Sequence, residues 1–240
     1  MANIKKHIKI GNKFLKVGGK ILTYIPHGLI YETNFTNFDM NTGIDTPLIG
    51  NPLHWNKSGT VQKETRIIDG VEYPVLYITR GGISLVENLF ELYPDCFSIE
   101  ATIYKDRYDG CWCALYAPMG SPNVNCWSGG RGIGVSNAGK FNDTTYYNGF
   151  WNKHDDCCYG EFYNRTNVSQ IITGGVTNRT NEKTAKLYLA NKKAIKISNW
   201  NYETSHGVDL WASDSWSPYA SMCVLNLKIY ANVDRFEEME

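Results

Sequence analysis

The sequence predicts an all-β chain of two packed antiparallel sheets, and three observations predict it. Several segments alternate apolar and polar residues strictly, the pattern of a half-buried strand. No stretch of the 240 residues sustains the i, i+3, i+4, i+7 apolar spacing of a helix. The alternating segments are short and are separated by Gly, Asn, Asp and Ser clusters, as in sandwiches. A chain of this length can bury a sizeable core as one such unit.

Taken in order, the first element is "IKIGNKFLKVGGKIL", residues 8–22. It reads as three very short strands, "IKI", "KFLKV" and "KIL", joined by Gly11-Asn12 and Gly18-Gly19. Those pairs tolerate the positive φ that tight hairpins need. Strands this short cannot bury a core alone, so residues 1–27 are expected to form a small β-meander arm that lies on something else. Docking on a partner is one reading, with Ile8, Ile10, Phe14, Leu15 and Val17 as anchoring residues; an edge meander on the chain's own sandwich is the other. Six lysines precede the first acidic residue, Glu32. Lysines discourage edge-to-edge strand pairing, and the aromatics that single-strand nucleic-acid binders interleave with cations are confined to Phe14 and Tyr24. An acidic protein surface is therefore the partner expected.

Pro26 and Gly28 close the arm, and residues 28–240 are expected to form the sandwich. In "CFSIEATIY", Phe97, Ile99, Ala101 and Ile103 share one face and Ser98, Glu100, Thr102 and Tyr104 the other. "CWCALYA" places Cys111, Cys113 and Leu115 inward, "AKLYLAN" aligns Leu187 with Leu189, and "GVDLWAS" pairs Val208 with Leu210. "CVLNLKIYA" aligns Leu225, Leu227, Ile229 and Ala231. Short helical turns are expected around "SLVENLFELY" and in the last few residues. Loops at 39–60, 118–130 and 142–157 exceed the usual length, which points to function; they are expected to be ordered and to form one rim of the sandwich.

Charge narrows the function classes. Lysines and arginines number 24, as do aspartates and glutamates, so the net cationic field that whole-chain binding to nucleic acid or an anionic membrane requires is missing. No apolar run is long enough to span a bilayer, and lysines interrupt any secretory h-region at the start. Seven cysteines are an odd number, and the spacings Cys111/Cys113 and Cys157/Cys158 suit no relaxed local disulfide. Thiols made in a reducing compartment are expected.

The stretches "YETNFTNFDMNTG", "FSIEATIY", "SQIITGGVTNRTNEKTAKLYLANKKA" and "LNLKIYANVDRFEEME" together resemble the laminin-G-like, concanavalin-A-like jelly roll. Leu187–Lys193 looks like its "lklYvNGk"-type hairpin, and Leu227–Glu238 like its closing strand with a short acidic helical turn. The resemblance covers roughly residues 28–240 and implies a two-sheet antiparallel jelly-roll sandwich. "KIGNKFLKVGGKIL" is similar to attachment segments of tailed-bacteriophage structural proteins. That likeness implies a non-enzymatic virion structural or decoration protein, assembled in a bacterial cytoplasm and held to other virion proteins by residues 1–27. The jelly-roll resemblance implies that such a module on a virion binds host-surface glycans or decorates capsids and tails, and a symmetric homo-oligomer, a trimer, is expected. A carbohydrate-binding module or a glycanase outside any virus is the alternative.

Specific chemistries follow from these readings. Glycanases of this fold resemble one another through a Glu-x-Asp-x-(x)-Glu strand that flanks the scissile bond with carboxylates; here the nearest approach is Asp155 and Glu161, interrupted by Gly160, so no catalytic residue is assigned. Cys111, Cys113, Cys126, His154, Cys157 and Cys158 could supply zinc ligands but lack paired Cys-x2-Cys spacing, and buried cysteine commonly packs as a small hydrophobe. Gly130, Gly132 and Gly134 have the wrong spacing for a dinucleotide loop. Calcium would suit the loop oxygens of Asp39, Asn41, Asp45, Asn142, Asp143, Asp155 and Asp156, but no ligand is placed. Sugars are held by aromatic faces beside Asn, Asp and Arg. Trp127, Arg131, Tyr147, Trp151, Asn152, Trp211 and Trp216 are the candidates for such an exposed rim, against the alternative that tryptophans cover the core.

Overall fold

A computed structural model of the chain describes residues 27–104 and 221–238 without interruption, together with Asn181 and the strands that precede and separate those two stretches. Six two-residue strands come first: Lys6–His7 (β1), Lys9–Ile10 (β2), Lys13–Phe14 (β3), Lys16–Val17 (β4), Lys20–Ile21 (β5) and Thr23–Tyr24 (β6). Then follow Gly28–Thr33 (β7), Ile44–Asp45 (β8), Leu53–Ile68 (β9), Val71–Leu85 (β10), the short helix Leu89–Leu92 (α1) and Phe97–Tyr104 (β11). Cys113–Ala117 (β12), Arg131–Val135 (β13), Ile171–Arg179 (β14), Thr184–Leu189 (β15), Lys192–Ile197 (β16), Asp209–Ala212 (β17) and Ser221–Ala231 (β18) complete the described elements.

Both hairpins expected from Gly11-Asn12 and Gly18-Gly19 form: β2 pairs β3 and β4 pairs β5, each across two residues. The middle segment "KFLKV" contributes two described strands, β3 and β4. Its first half pairs backward, its second half pairs forward, and β1 closes on β6.

The sandwich follows from how two long strands exchange partners. One sheet runs β7–β18–β11–β14–β15–β16 and the other β8–β9–β10–β17–β12–β13, all antiparallel. They join at one corner, where Leu76–Thr79 of β10 pair with Ser221–Val224 of β18. Beyond it β10 pairs β17 instead, and the register on β9 slips between Thr79 and Gly82. Gly81 makes that slip possible, because a Cβ there would collide with the Ser58 carbonyl. The slip resets parity, so Leu76 and Ile78 before it and Ile83 and Leu85 after it all reach the core.

The β9–β10 hairpin turns at Asp69-Gly70, both at positive φ, as a tight two-residue turn requires. This corrects the loop expected over 39–60: β8 lies inside it and β9 begins at Leu53. Residues 34–50 are tied down by aromatic packing. Phe35 meets Phe38 and Trp55 edge-on, and the Tyr31 hydroxyl donates to Asp45 Oδ2 at 2.5 Å. Burial first, then the Asp45 charge, pushes the Tyr31 phenol above its ordinary range, so Tyr31 remains a donor.

Alternation in β11 holds for the inner face: Phe97, Ile99, Ala101 and Ile103 are all in the core. For β18 the expectation needs one correction. Thr102 pairs with Asn226 but Ile103 with Val224, so Leu225 is an extra, bulged residue. Val224 takes the core position, and Leu225 packs on the opposite face with Ile68, Val75 and Cys223. α1 forms within "SLVENLFELY" because the Asn88 side chain caps it, accepting from the amides of Phe90 and Glu91. The helical turn expected at the end also forms, with the amides of Glu237 and Glu238 on the Asp234 carbonyl.

Candidate functional site

The face of the first sheet that points away from the core carries the chemistry. Register places its side chains in rows across β10, β18, β11 and β14. Tyr77, Cys223, Tyr104 and Ile171 form one row; Asn226, Thr102 and Thr173 form the next; Glu32, Lys228 and Glu100 form a third with β7. Ser98, Tyr230 and Thr177 make the fourth.

The fourth row is closed by the chain's own C-terminal segment. Residues 232–238 cross it as a strap whose Val233 and Phe236 are buried. Ser98 Oγ donates to the Val233 carbonyl at 2.7 Å, the Arg235 amide donates to Ser98 Oγ at 3.2 Å, and the Phe236 amide donates to Thr177 Oγ1 at 3.3 Å. Ser98 and Glu100 have the outward parity that alternation predicts, yet the strap leaves them buried. Charge holds the strap down as well. Lys186 Nζ lies 2.6 Å from both Asp234 and Glu237, and Arg179 lies 2.8 Å from Asp234. Burial alone would lower the Lys186 ammonium, but the two carboxylates outweigh it and the net shift is upward. Burial likewise opposes ionisation of Asp234, and the Lys186 and Arg179 hydrogen bonds overcome it, so its carboxyl sits below the usual range.

The first three rows lie between two walls, with Cys223 and Glu100 buried and their other side chains half-exposed. On one side the β9–β10 hairpin presents Tyr73 and Tyr77, packed with Tyr104 and Ile171 over Cys223 and Leu225. Arg66 lies over the Tyr77 ring, 4.6 Å from its centre. On the other side Arg235 of the strap lies 4.9 Å from the Tyr230 ring and 3.8 Å from Glu100. Between them stand paired polar groups: Thr102 and Thr173 hydroxyls 2.9 Å apart, Asn226 donating to Glu32 at 3.2 Å, and Lys228 3.7 Å from Glu32. A cleft of about 290 Å³ lined by Asn34, Phe35, Thr36, Lys63, Glu64, Thr65, Pro74 and Val75 meets the hairpin wall at Val75. The trough therefore offers half-exposed tyrosine side chains beside paired donors and acceptors on hydrogen-bonded strands. Both of its carboxylates, Glu32 and Glu100, face a cation.

Of the rim expected from sequence, Trp127, Tyr147, Trp151, Asn152 and Trp216 lie outside the described residues, as do Ile8 and Leu15 of the arm, Asp155, Glu161 and most of the cysteine and histidine set. Arg131 pairs with Ala117, and Trp211 pairs with both Gly82 and Ala114. That register separates the two by three residues along the sheet and two strands across it, roughly 10 Å in each direction. They do not stand side by side. Ile10, Phe14 and Val17 fall within β2, β3 and β4 and pair with Lys13, Lys9 and Lys20 across the ladders. Residues 131–135, with Gly132 and Gly134, form a strand paired with β12. Asp39, one of the candidate calcium oxygens, accepts from the amides of Asn41 and Thr42. Those bonds hold its carboxyl below the usual range. Among the described residues, no group of three or more His, Cys, Asp or Glu could hold a metal.

The trough residues escape a reading that looks for binding groups in long loops, because they stand on strands. Their signal is nonetheless in the sequence: Tyr73, Val75 and Tyr77 alternate, and Thr102 and Tyr104 share the outward parity of β11.

No family model matches the sequence, and no curated protein matches it. Solved structures do match. A Trypanosoma rangeli sialidase in complex with sialic acid superposes with a TM-score of 0.57 at 13% identity, covering 93% of this chain and 34% of that one. The binding domain of botulinum neurotoxin DC in complex with SialylT gives 0.54 at 12% identity, over 88% of this chain and 49% of that chain. Domain 4 of AbnA, an extracellular arabinanase from Geobacillus stearothermophilus, in complex with arabinotriose, gives 0.53 at 13% identity. It covers 89% of this chain and 100% of that one. This chain thus spans about a third of the sialidase and the whole of the arabinanase domain. At such identity the likeness shows the fold: a two-sheet jelly-roll sandwich.

Proposed function

We propose that this sandwich is a non-catalytic carbohydrate-binding module and that its trough is the binding face. The observation that carries the reading is half-exposed Tyr77 and Tyr104 in one row, with Tyr73 four residues along β10, beside Thr102, Thr173, Asn226, Lys228 and Glu32. Sugar rings present apolar C–H faces and hydroxyl edges together, and an aromatic platform flanked by fixed donors and acceptors matches both. Structural neighbours whose complexes contain sialic acid, SialylT or arabinotriose support the ligand class.

The test is glycan-array binding by the full chain, by Tyr77→Ala and Tyr104→Ala, and by Trp127→Ala and Trp151→Ala. Loss in the tyrosine variants with retention in the tryptophan variants is the expected result. The reverse pattern moves the site to the rim loops. Any polysaccharide turnover that disappears in Glu100→Gln or Glu32→Gln overturns the non-catalytic reading.

The setting proposed for this module is a bacteriophage virion assembled in a bacterial cytoplasm, with residues 1–27 as its attachment and a homotrimer as its working form. Support for that setting comes from the likeness of residues 9–22 to virion attachment segments. Intact-mass analysis of purified particles tests it.

A further inference from the structure

The first ladders contain a repeat that neither the sandwich nor its trough uses. Lys6–Asn12 (KHIKIGN), Lys13–Gly19 (KFLKVGG) and Lys20–Pro26 (KILTYIP) are three consecutive seven-residue units. Each contributes two short strands, and the pairing follows the repeat. Lys9↔Phe14 and Ile10↔Lys13 recur seven residues on as Lys16↔Ile21 and Val17↔Lys20. The third shift gives Thr23↔His7 and Tyr24↔Lys6, which joins the last unit to the first. The three ladders therefore close into a ring with pseudo-threefold symmetry. The ladder of β2 with β3 brackets Gly11-Asn12 in sequence and that of β4 with β5 brackets Gly18-Gly19, while β1 with β6 joins the first unit to the last.

Resting on the attachment role proposed for residues 1–27, we propose that this ring is a docking module for an acidic protein surface. Lys6, Lys13 and Lys20 occupy one threefold-equivalent position, each opposite an apolar residue: Tyr24, Ile10 and Val17. Lys9 and Lys16 occupy two of the three sites of a second set. No carboxylate side chain occurs before Glu32, so the ring is cationic with no internal counter-charge, and complementarity selects a carboxylate-bearing partner. Two-residue ladders are marginal by themselves, and the repeat lets three equivalent contacts act together on one partner.

The experiment measures binding of the full chain to immobilised poly-L-glutamate, with heparin and duplex DNA as other polyanions. Lys6→Glu, Lys13→Glu and Lys20→Glu should each weaken binding by a similar, roughly threefold factor, and the triple variant by roughly 30-fold. The matched variant Lys192→Glu, Lys193→Glu, Lys196→Glu in β16 carries the same charge change and should bind as the parent does. Closure is read separately. A His7→Cys, Thr23→Cys pair should oxidise to a cross-link, detectable by peptide mapping, with binding retained, because antiparallel partners lie within disulfide reach. Unequal effects at the three equivalent lysines, failure of that cross-link, equal loss in the β16 variant, or tighter binding to heparin or DNA would each overturn the proposal.

Discussion

Two ends of one sheet face, built from the same three strands, have been treated differently by the chain. At the Ser98–Thr177 end the C-terminal strap supplies a partner for both hydroxyls and buries Val233 and Phe236 over them. At the Thr102–Tyr104 end, the hydroxyls bond to each other and the tyrosine rings stay half-exposed. The same alternating strand thus produces a sealed surface or an available one according to what the chain lays on it. Groups satisfied internally gain little from a ligand, because a bond exchanged for another is worth little net. The open end differs in access: its polar groups are paired with one another but stay partly exposed, within reach of a ligand.

The sharpest way to break this contrast is to remove the strap's apolar anchor. Phe236→Ala should cost about 3 kcal/mol of stability, read from the denaturant midpoint, since a buried ring leaves both a transfer loss and a cavity. It should leave glycan binding at the open end intact. Asp234→Asn comes next, at about 2 kcal/mol, because it removes the buried carboxylate shared by Lys186 and Arg179 and leaves Lys186 with the exposed Glu237. The pH dependence sharpens the point. Asp234 has its folded carboxyl below the ordinary value of 3.8, so its contribution is present above that pH and is lost as pH falls through the lower folded value. The parent should therefore lose stability in acid more steeply than Asp234→Asn, which thermal melts across roughly pH 2–5 would show.

At the open end the ranking reverses between stability and binding. Tyr104→Ala should weaken glycan binding by about tenfold while costing under about 1.5 kcal/mol, since its ring is only partly covered. Asn226→Ala should shift stability by less than about 0.5 kcal/mol and binding by a few fold, as a half-exposed polar group does. If Asn226→Ala destabilised more than Asp234→Asn, the assignment of sealed and available ends would be inverted.

How much of this was legible in the sequence depended on parity. The inner faces of β11 and most of β18 could be read directly, because alternation with buried aliphatics has one interpretation. Leu225 could not, since a bulge shifts parity without any residue type announcing it. The slip in β10 at Gly81-Gly82 and the change of partner from β18 to β17 that goes with it emerge only in the structure. The strap was harder still. "VDRFEEME" reads as an acidic tail, and only the position of Lys186, brought from β15 by tertiary pairing, shows why its acids are where they are. Likewise the tyrosines of the trough come from β10 and β11, and nothing local says that those strands meet on one face.

Whether carbohydrate binds at the open end is tested most directly by side-chain footprinting. The full chain would be labelled by a carbene reagent with and without an oligosaccharide chosen from the array, and the modified residues mapped by mass spectrometry. A binding trough predicts protection at Tyr73, Tyr77 and Tyr104 and unchanged labelling at Tyr230 and Phe236. Protection confined to the segments bearing Trp127 and Trp151, with those three tyrosines labelled as in the unliganded chain, would contradict it.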